Sequence, residues 1–203
     1  MSTRKPPSNE PAVDSADALR VIRTATLEPQ PWANGRGRTR EIHCEPATGT
    51  PETITWRLSL ADIEEPGPFS QFPGMERHLL SAAPVPLQLS VDGVVHDLRH
   101  TQSVSFSGHS DVVTTAVDGR AQALNLMVRS GIRGSFELLR GDMQLPVSAE
   151  CTTALVVIDG IVSLGGRQLM RFDAVLPGAG ETRLGLQSAT VVRVRVETPV
   201  PDA

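Results

Sequence analysis

The feature that most constrains this sequence is a two-residue alternation of apolar and polar side chains in several short runs. It is clearest in the segments 53–60, 85–91, 124–129 and 192–197. Because successive side chains of an extended strand point to opposite faces, such alternation is typical of strands with one buried face. No window of a dozen residues keeps an apolar stripe at the helical period of 3.6 residues. The chain is therefore predicted to be all-β rather than a helix-rich α/β protein.

Turn-forming residues separate these runs, with 17 glycines and 16 prolines spread along the chain. Asp-Gly pairs stand between β-forming residues at 92–93, 118–119 and 159–160. Both residue types tolerate the positive φ angles of a type I′ turn, whose twist matches that of the flanking strands. Each pair is therefore predicted to close a β-hairpin. Many short strands with closely spaced turns indicate a sandwich or a barrel.

The chain of 203 residues is long enough for one domain or for two small fused barrels. Residues 1–18 differ from the rest, because they combine three prolines and scattered charges with almost no large apolar side chain. We interpret residues 1–18 as a flexible tail, with a short helical turn near residues 15–20. Residues 19–203 are interpreted as one compact unit.

Charge and cysteine content argue against several classes of protein. The net charge is −4, whereas nucleic-acid binding needs lysines and arginines clustered on one face. The start of the chain lacks the pattern of a signal peptide, and no uncharged apolar run approaches the roughly 18 residues of a membrane span. The only cysteines, Cys44 and Cys151, are far apart and fit a reducing compartment. We therefore expect a cytoplasmic protein without nucleic-acid or membrane partners.

Three segments carry long motifs. The first is WANGRGRTREI at residues 32–42, and the second runs from WRLS at 56–59 to GPFSQFPG at 67–74 and Arg77. The third is LNLMVR at residues 124–129. These segments resemble signatures of the HutD/Ves family, which comprises cupin-like bacterial proteins associated with histidine utilisation or stress. One position departs from the family pattern, because Ala123 stands where the family usually has Asp.

The resemblance implies a fold of double-stranded β-helix (cupin-like) barrels, with two halves in one chain, which is a bicupin. Residues 19–140 bear the motifs. Residues 141–203 complete the C-terminal barrel strands by pattern alone. Within them, residues 154–183 look like a cupin half-barrel: an apolar strand, an Asp-Gly turn, a second strand, Gly165-Gly166 and a PGAGE loop.

For the HutD branch, the resemblance implies a regulatory role in histidine breakdown through binding of a pathway intermediate, with formylglutamate as the favoured candidate. A ligand that bears carboxylates needs guanidinium forks and side-chain amides. The predicted ligand-binding residues are Asn34, Arg40, Glu41, Arg57, Ser59, Phe69, Ser70, Arg77 and Asn125. The expected partner is a small carboxylate-bearing metabolite, and a second copy of the chain is another candidate. If the family's usual Asp shapes the site, Ala123 implies a different ligand or weaker binding.

Each candidate also has a purely structural interpretation. The arginines are equally well explained as solvated strand residues, and Glu41 as a partner in a structural ion pair. The glycines of the loop at residues 34–39 are consistent with an anion-binding nest of backbone amides or with a tight turn. Trp32, Phe69 and Phe72 are expected to pack at one end of a barrel, which is compatible with lining a pocket.

The five histidines at positions 43, 78, 96, 100 and 109 bear on enzymatic activity. No two of them are separated by one residue, whereas metal-dependent cupins present a His-x-His pair with further donors. We expect no metal, no cofactor and no catalytic residue, and binding rather than turnover. Two alternatives stay open. One is a cupin-type isomerase, hydrolase or dioxygenase with an unfamiliar site, and the other is an interaction module without a ligand.

Overall fold

The structure is a computed structural model that describes residues 19–50 and 52–197. Its regular elements are strands and one 3-10 turn at Thr24–Thr26. In chain order the strands are β1 (Arg20–Ile22), β2 (Gln30–Pro31), β3 (Gly37–Glu45), β4 (Trp56–Ile63), β5 (Gly67–Pro68), β6 (Met75–Ser81), β7 (Leu87–Val91), β8 (Val94–Leu98), β9 (Ser103–Ser107), β10 (Val112–Val117), β11 (Ala121–Arg129), β12 (Arg133–Val147), β13 (Ala154–Leu164), β14 (Arg167–Leu169), β15 (Ala174–Leu176) and β16 (Thr182–Glu197). The described part of the chain is all-β, as predicted.

The predicted tail at residues 1–18 lies outside the described residues, and so does most of the helical turn expected near residues 15–20. Its last residue, Arg20, begins strand β1 instead. Within the described residues, no helix has the length and apolar character needed to cross a membrane.

The strands form three antiparallel sheets. The middle sheet has the order β2-β3-β4-β11-β6-β9, and the outer sheet has the order β5-β10-β7-β8. The C-terminal sheet has the order β1-β15-β13-β16-β12, with β14 added to β13. Residues 30–129 thus supply the middle and outer sheets, while the C-terminal sheet takes its strands from residues 133–197 and from β1.

Apolar clusters lie on both faces of the middle sheet. One face packs on the C-terminal sheet through side chains such as Leu58, Leu126 and Val192. The opposite face packs on the outer sheet through residues that include Ile63 and Leu89. A third cluster is built from residues of the C-terminal sheet, together with Leu19, which precedes β1. The middle sheet is therefore a shared layer buried on both sides.

The alternating runs of the sequence correspond to four of these strands. Segments 53–60, 85–91, 124–129 and 192–197 fall in or across β4, β7, β11 and β16, respectively. The alternation of β11 is the most informative, because Leu124 and Leu126 contact the C-terminal sheet while Asn125 and Met127 face the other way. The boundaries move by a few residues, since β4 begins only at Trp56.

Of the three predicted Asp-Gly hairpins, one is confirmed. Asp92 and Gly93 have φ angles of 49° and 83° and join β7 to β8, with Val91 opposite Val94. The second prediction is wrong, because the pair at 118–119 carries the chain from β10 in the outer sheet to β11 in the middle sheet. A positive φ angle fits any sharp change of direction, so Asp-Gly alone does not specify a hairpin.

The third Asp-Gly prediction is also wrong, because residues 159–160 lie inside the continuous strand β13. They form a bulge, at which the register with β16 shifts on both sides of Asp159. Gly160 has a φ angle of 82°, and a Cβ there would lie 2.3 Å from the carbonyl oxygen of Ser188. The hairpin of this region is instead turned by Gly165 and Gly166, which connect β13 to β14.

Candidate functional site

A cavity of about 360 Å³ opens on the face of the middle sheet that turns away from the C-terminal sheet. Strands β4, β11 and β6 supply its floor, and the segments 30–34 and 68–72 supply its walls. The lining consists of Gln30, Pro31, Trp32, Ala33, Asn34, Thr39, Arg57, Ser59, Ala61, Pro68, Phe69, Ser70, Phe72, Arg77, Asn125 and Met127. We call it the larger cavity, because it is larger than a second cavity adjacent to it, which is described below. Seven of the nine predicted site residues are in this lining.

Strand register explains why these residues meet. Arg57 on β4 stands opposite Met127 on β11, and Met127 stands opposite Arg77 on β6. One row further along, Ser59 stands opposite Asn125. Directly paired residues point to the same face of a sheet, so both rows face the larger cavity. The sequence left open which face of β4 lines the pocket, and the structure assigns it to the face of Arg57 and Ser59.

Arg77 is a buried cation surrounded by aromatic rings. Arg77 is 6% exposed. Its guanidinium carbon lies 5.3, 5.4 and 5.0 Å from the ring centres of Phe69, Phe72 and Phe106, respectively. Such distances are typical of cation–π contacts. Nη1 donates a hydrogen bond of 3.1 Å to the carbonyl oxygen of Ser70, whereas the buried Nε has no partner. Within the described residues, Arg77 has no carboxylate partner.

Burial lowers the pKa of Arg77 to about 10, with a smaller contribution from the charge of Arg57. The guanidinium therefore stays protonated at neutral pH. A buried charge without a counter-charge is costly to the folded state, because it has lost its hydration without gaining an ion pair. An anion in the larger cavity would remove this cost.

Arg57 is held by an ion pair. Its Nε donates a hydrogen bond of 2.7 Å to Oε2 of Glu41 on the neighbouring strand β3. Its two terminal nitrogens make no hydrogen bond to the described residues. Arg57 also borders a second cavity of about 140 Å³, lined by Glu41, Cys44, Ala47, Gly49, Ile54, Arg57, Phe72, Met75 and Met127. We call this the smaller cavity.

The two cavities are adjacent, because Arg57, Phe72 and Met127 line both of them. Glu41 lines only the smaller one. The thiol of Cys44 in its wall is buried, and burial raises the pKa of that thiol. Cys44 is therefore a neutral, weakly polar group at pH 7.

Asn125 supplies an unpaired acceptor. The residue is 6% exposed, and its Nδ2 donates a hydrogen bond of 3.3 Å to the carbonyl oxygen of Ala123. Its buried Oδ1 has no partner among the described residues. The neighbouring Ser59 is buried as well. Unpaired buried polar atoms are uncommon in folded proteins, and they are found where a ligand or water completes them.

The loop that carries the first motif is a tight turn. Nδ2 of Asn34 donates to the carbonyl oxygen of Pro68 at 3.2 Å, and Oδ1 accepts from the amide of Arg36 at 3.1 Å. The amide of Gly35 bonds to the carbonyl oxygen of Trp32 at 3.0 Å. Because these amides are bonded within the loop, they are not arranged as an anion-binding nest. The turn interpretation is confirmed, and it fixes Asn34 at the cavity wall.

The aromatic residues of the motifs wall the larger cavity. The rings of Trp32 and Phe69 meet edge to face, with centres 5.6 Å apart. Nε1 of Trp32 donates a hydrogen bond of 2.8 Å to Thr39. The sequence reasoning missed Phe106 and Met127 as site residues. Met127 could have been found, since it alternates with the leucines of β11, but Phe106 comes from strand β9, outside every motif.

Arg40 is the predicted residue that lies apart from both cavities. It stands opposite Leu60 on β4, so it shares the face directed at the C-terminal sheet. There its Nη1 pairs at 2.8 Å with Oδ2 of the buried Asp62, whose other oxygen accepts from Gln122. The structure therefore does not bring Arg40 together with the other candidates, and we leave it out of the proposed site.

Ala123 occupies the position at which the family usually has Asp. It is fully buried beside Ala61 and Ser81 in the apolar cluster between the middle and outer sheets. The hydroxyl of Ser81 is buried there without a hydrogen-bond partner. Ala123 does not line the larger cavity, so its effect on a ligand would be indirect.

The histidines are spread over several environments. His43 stacks on Trp56 with ring centres 4.5 Å apart, and Nδ1 of His78 lies 2.7 Å from Oγ of Ser105. Burial lowers the pKa of both histidines. In the part of the chain that the structure describes, no three His, Cys, Asp or Glu side chains converge in a way that could hold a metal ion.

Solved structures resemble this arrangement of sheets. Protein Ylba from Escherichia coli matches 96% of the chain with a TM-score of 0.69 and 10% identity, covering 97% of its own length. The bacterial pirin YhhW from Escherichia coli, in complex with nickel(II), matches 90% of the chain with a TM-score of 0.58 and 11% identity, covering 100% of its own length. At these identities the likeness concerns the fold alone. The protein has a cupin-like all-β fold with an arginine-bearing cavity.

This chain belongs to the HutD family, whose model matches residues 24–193. An uncharacterized 21.2 kDa protein in the hutC 3′ region of Pseudomonas putida is 30% identical over 175 residues, which cover 83% of this chain and 92% of that protein. Protein Ves of Citrobacter koseri is 42% identical over 102 residues, which cover 48% of this chain and 51% of Ves. HutD from Pseudomonas fluorescens SBW25 is 26% identical, with a TM-score of 0.74 over 90% of this chain and 100% of that one. The family is linked to histidine utilisation.

Proposed function

We propose that this protein binds a small acidic metabolite, formylglutamate or a close relative, in the larger cavity without converting it. In this proposal, occupancy of the cavity regulates histidine catabolism in the cytoplasm. The three sheets would then represent two cupin-like halves, of which the N-terminal half holds the ligand. Seven of the nine predicted residues line this cavity, whereas Glu41 pairs with Arg57 at the adjacent smaller cavity and Arg40 lies elsewhere.

The observation that carries the proposal is the state of Arg77. Its guanidinium is buried, is ringed by three phenylalanines and has no carboxylate partner among the described residues. Folded proteins bury an unpaired charge only at a cost, and such sites are concentrated where a ligand supplies the missing charge. A guanidinium binds a carboxylate in matched, bidentate geometry.

The remaining lining agrees with a small polar ligand. A volume of about 360 Å³ is at the lower end of the range of small-molecule pockets, roughly 300–1,000 Å³. Aromatic walls with a few convergent polar groups are typical of such pockets. Arg57, Asn125 and Asn34 supply those polar groups here.

The composition of the lining favours binding over turnover. The larger cavity is lined by hydroxyls, amides and two arginines, without a histidine, an aspartate or a glutamate. General base catalysis needs such a group within hydrogen-bond reach of the substrate. The support for a regulatory role comes from the family's link to histidine utilisation.

Isothermal titration tests the proposal with formylglutamate, urocanate, glutamate and histidine as ligands. We expect at least one of the acidic compounds to bind with a Kd below about 1 mM, and Arg77→Met to abolish that binding. Arg38→Met is the matched control, since Arg38 is an arginine of the first motif that lies outside both cavities and pairs with Glu64. The proposal is wrong if none of the four compounds binds below the millimolar range, or if Arg77→Met binds as the wild type does.

A further inference from the structure

Strand β8 is an open edge of the outer sheet. It pairs with β7 on one side, and no strand among the described residues pairs with its other side. The described residues expose five large apolar side chains, and only Val94 and Val95, which are 59% and 56% exposed, are neighbours in the sequence. Both lie on β8. A free edge that carries apolar side chains is a template for pairing with another chain.

The geometry of the hairpin determines which backbone groups of β8 are free. The turn between β7 and β8 has two residues, so the flanking Val91 and Val94 exchange hydrogen bonds with each other. Hydrogen-bonded and non-hydrogen-bonded pairs alternate along an antiparallel ladder, so Val95 and Asp97 direct their N–H and C=O groups to the free edge. These groups have no hydrogen-bond partner among the described residues. The edge therefore presents donors and acceptors in the order that a further antiparallel strand requires.

The features that usually keep a sheet edge from pairing are missing in β8. Its sequence, VVHDL, contains neither proline nor lysine, and no bulge interrupts its register with β7. Its acidic side chain, Asp97, is turned back over the sheet, because its Oδ1 accepts a hydrogen bond of 2.7 Å from Nε2 of Gln88 on β7. A partner strand would therefore not meet this carboxylate head on.

The charges at the two ends of β8 indicate that the partner strand is β8 of a second copy. Asp92 precedes the strand and Arg99 follows it. Neither residue has an ion-pair partner among the described residues. When two copies of one strand pair in antiparallel fashion, the acidic start of each strand meets the basic end of the other, and opposite charges across strands are stabilising. The edge is thus complementary to itself in charge as well as in hydrogen bonding.

We propose that two copies of this protein associate through antiparallel pairing of their β8 strands, with His96 of each copy at the two-fold axis. In this register Val95 stands opposite Asp97 of the second copy, so every free backbone group of β8 gains a partner. Val94 lies beside Leu98 of the second copy, on the face that packs against the middle sheet. The two outer sheets become one continuous sheet across the dimer.

Sedimentation velocity of the full chain, from micromolar to millimolar concentration, tests this interface. We expect a monomer–dimer equilibrium with a Kd in the micromolar range, because a short edge strand buries less area than a permanent interface does. Val95→Pro removes an N–H that faces the second copy, and proline is tolerated on an edge strand. It should weaken dimerisation at least about tenfold, since the symmetric interface loses this hydrogen bond twice. Val95→Thr keeps the backbone N–H, and as the control it should dimerise like the wild type.

Two lysine substitutions test the register and leave the backbone of β8 unchanged. Val94→Lys places a cation beside Leu98 of the second copy, so we expect dimerisation to weaken at least about tenfold. Val95→Lys places the cation opposite Asp97 of the second copy, so this variant should dimerise at least as tightly as the wild type. Both side chains are exposed to a similar extent in the monomer, so the two variants are matched in their effect on folding.

Asp92→Asn tests the charge complementarity. Asparagine tolerates the positive φ angle and can accept the hydrogen bond that Asp92 accepts from the amide of Asp111, so the turn is kept while the charge is lost. We expect dimerisation to weaken about threefold. A wild-type protein that stays monomeric at millimolar concentration would overturn the inference. So would a dimer as tight as the wild type in Val94→Lys or Asp92→Asn, or a weaker one in Val95→Lys.

Discussion

Arg57 and Arg77 face the same cavity from strands β4 and β6, with Met127 of β11 between them in the sheet. Neighbouring strands lie about 4.8 Å apart, so the two backbones are roughly 10 Å from each other. Of these two arginines, only Arg57 has a carboxylate partner among the described residues. The two arginines therefore form a cationic site in which Glu41 neutralises the charge of Arg57, whereas no described carboxylate neutralises that of Arg77.

Arg77→Met should stabilise the unliganded protein. The folded-state pKa of about 10 lies below the ordinary value of an arginine side chain, so the folded state disfavours the charged form. This cost applies in full below pH 10 and is relieved only as the pH rises above the folded-state pKa towards the ordinary one. At about 1.4 kcal/mol per pKa unit, the cost is on the order of 3 kcal/mol, and lost contacts with the phenylalanines offset part of it.

We therefore expect Arg77→Met to raise the free energy of unfolding at pH 7 by about 1 to 2 kcal/mol, which corresponds to a few degrees in Tm. Urea unfolding of the wild type and of Arg77→Met, both without ligand, measures this difference in free energy. A loss of stability of similar size would mean that the buried charge is not a cost to the fold.

Asn125→Leu should weaken ligand binding without destabilising the protein. The buried Oδ1 of Asn125 is unpaired, so an apolar side chain of similar volume removes an unsatisfied acceptor. We expect the free energy of unfolding to stay within about 1 kcal/mol of wild type, and ligand affinity to fall about tenfold. Thermal unfolding and calorimetry of the same preparation measure both.

Gln122→Leu is the matched comparison for Asn125→Leu. Gln122 lies on the same strand but faces away from the cavity, and its amide donates to the buried Asp62 at 3.0 Å. Its loss should destabilise the protein by about 1 to 3 kcal/mol and leave ligand affinity unchanged. If both variants behave alike, Asn125 has a structural role.

Two glycines of the first motif should respond differently to alanine. A Cβ at Gly37 would lie 2.5 Å from the carbonyl oxygen of Asp62 and 3.1 Å from the Trp32 ring, so we expect a loss of about 2 kcal/mol or more and a displaced cavity wall. Gly35 has a φ angle of 71° with open space around it, so its substitution should cost about 1 kcal/mol through backbone strain alone. Urea unfolding and tryptophan fluorescence of Gly35→Ala and Gly37→Ala measure the difference. Equal losses would argue against the close packing at Gly37.

The sequence predicts those features that depend on local alternation. In β4 the alternation places Arg57 and Ser59 on the face opposite the leucines, and in β11 it places Asn125 on the face opposite the leucines. Once the two strands pair, these three polar residues lie on the same face of the sheet. Alternation along β3 also places the adjacent residues Arg40 and Glu41 on opposite faces, so only one of them can share a face with Arg57 and Ser59. Which of the two does so depends on the pairing register of β3 with β4, which the sequence does not show.

Features that depend on distant strands were also beyond the sequence. The burial of Arg77 depends on Phe106, which arrives from β9 through pairing of that strand with β6. The two wrong hairpins have a similar origin. Asp-Gly marks a positive φ angle, but whether the chain then pairs with itself, bulges or enters another sheet is decided by long-range packing.

The double burial of the middle sheet ties the proposed ligand site to the fold. Along β4, Arg57 and Ser59 alternate with Leu58 and Leu60, which fill the interface with the C-terminal sheet. A register shift of β4 by one residue would place the guanidinium of Arg57 in this apolar interface and turn the leucines towards the cavity. Evolution can thus retune the pocket by exchanging side chains in place, whereas insertions or deletions within these strands would destroy recognition and folding together.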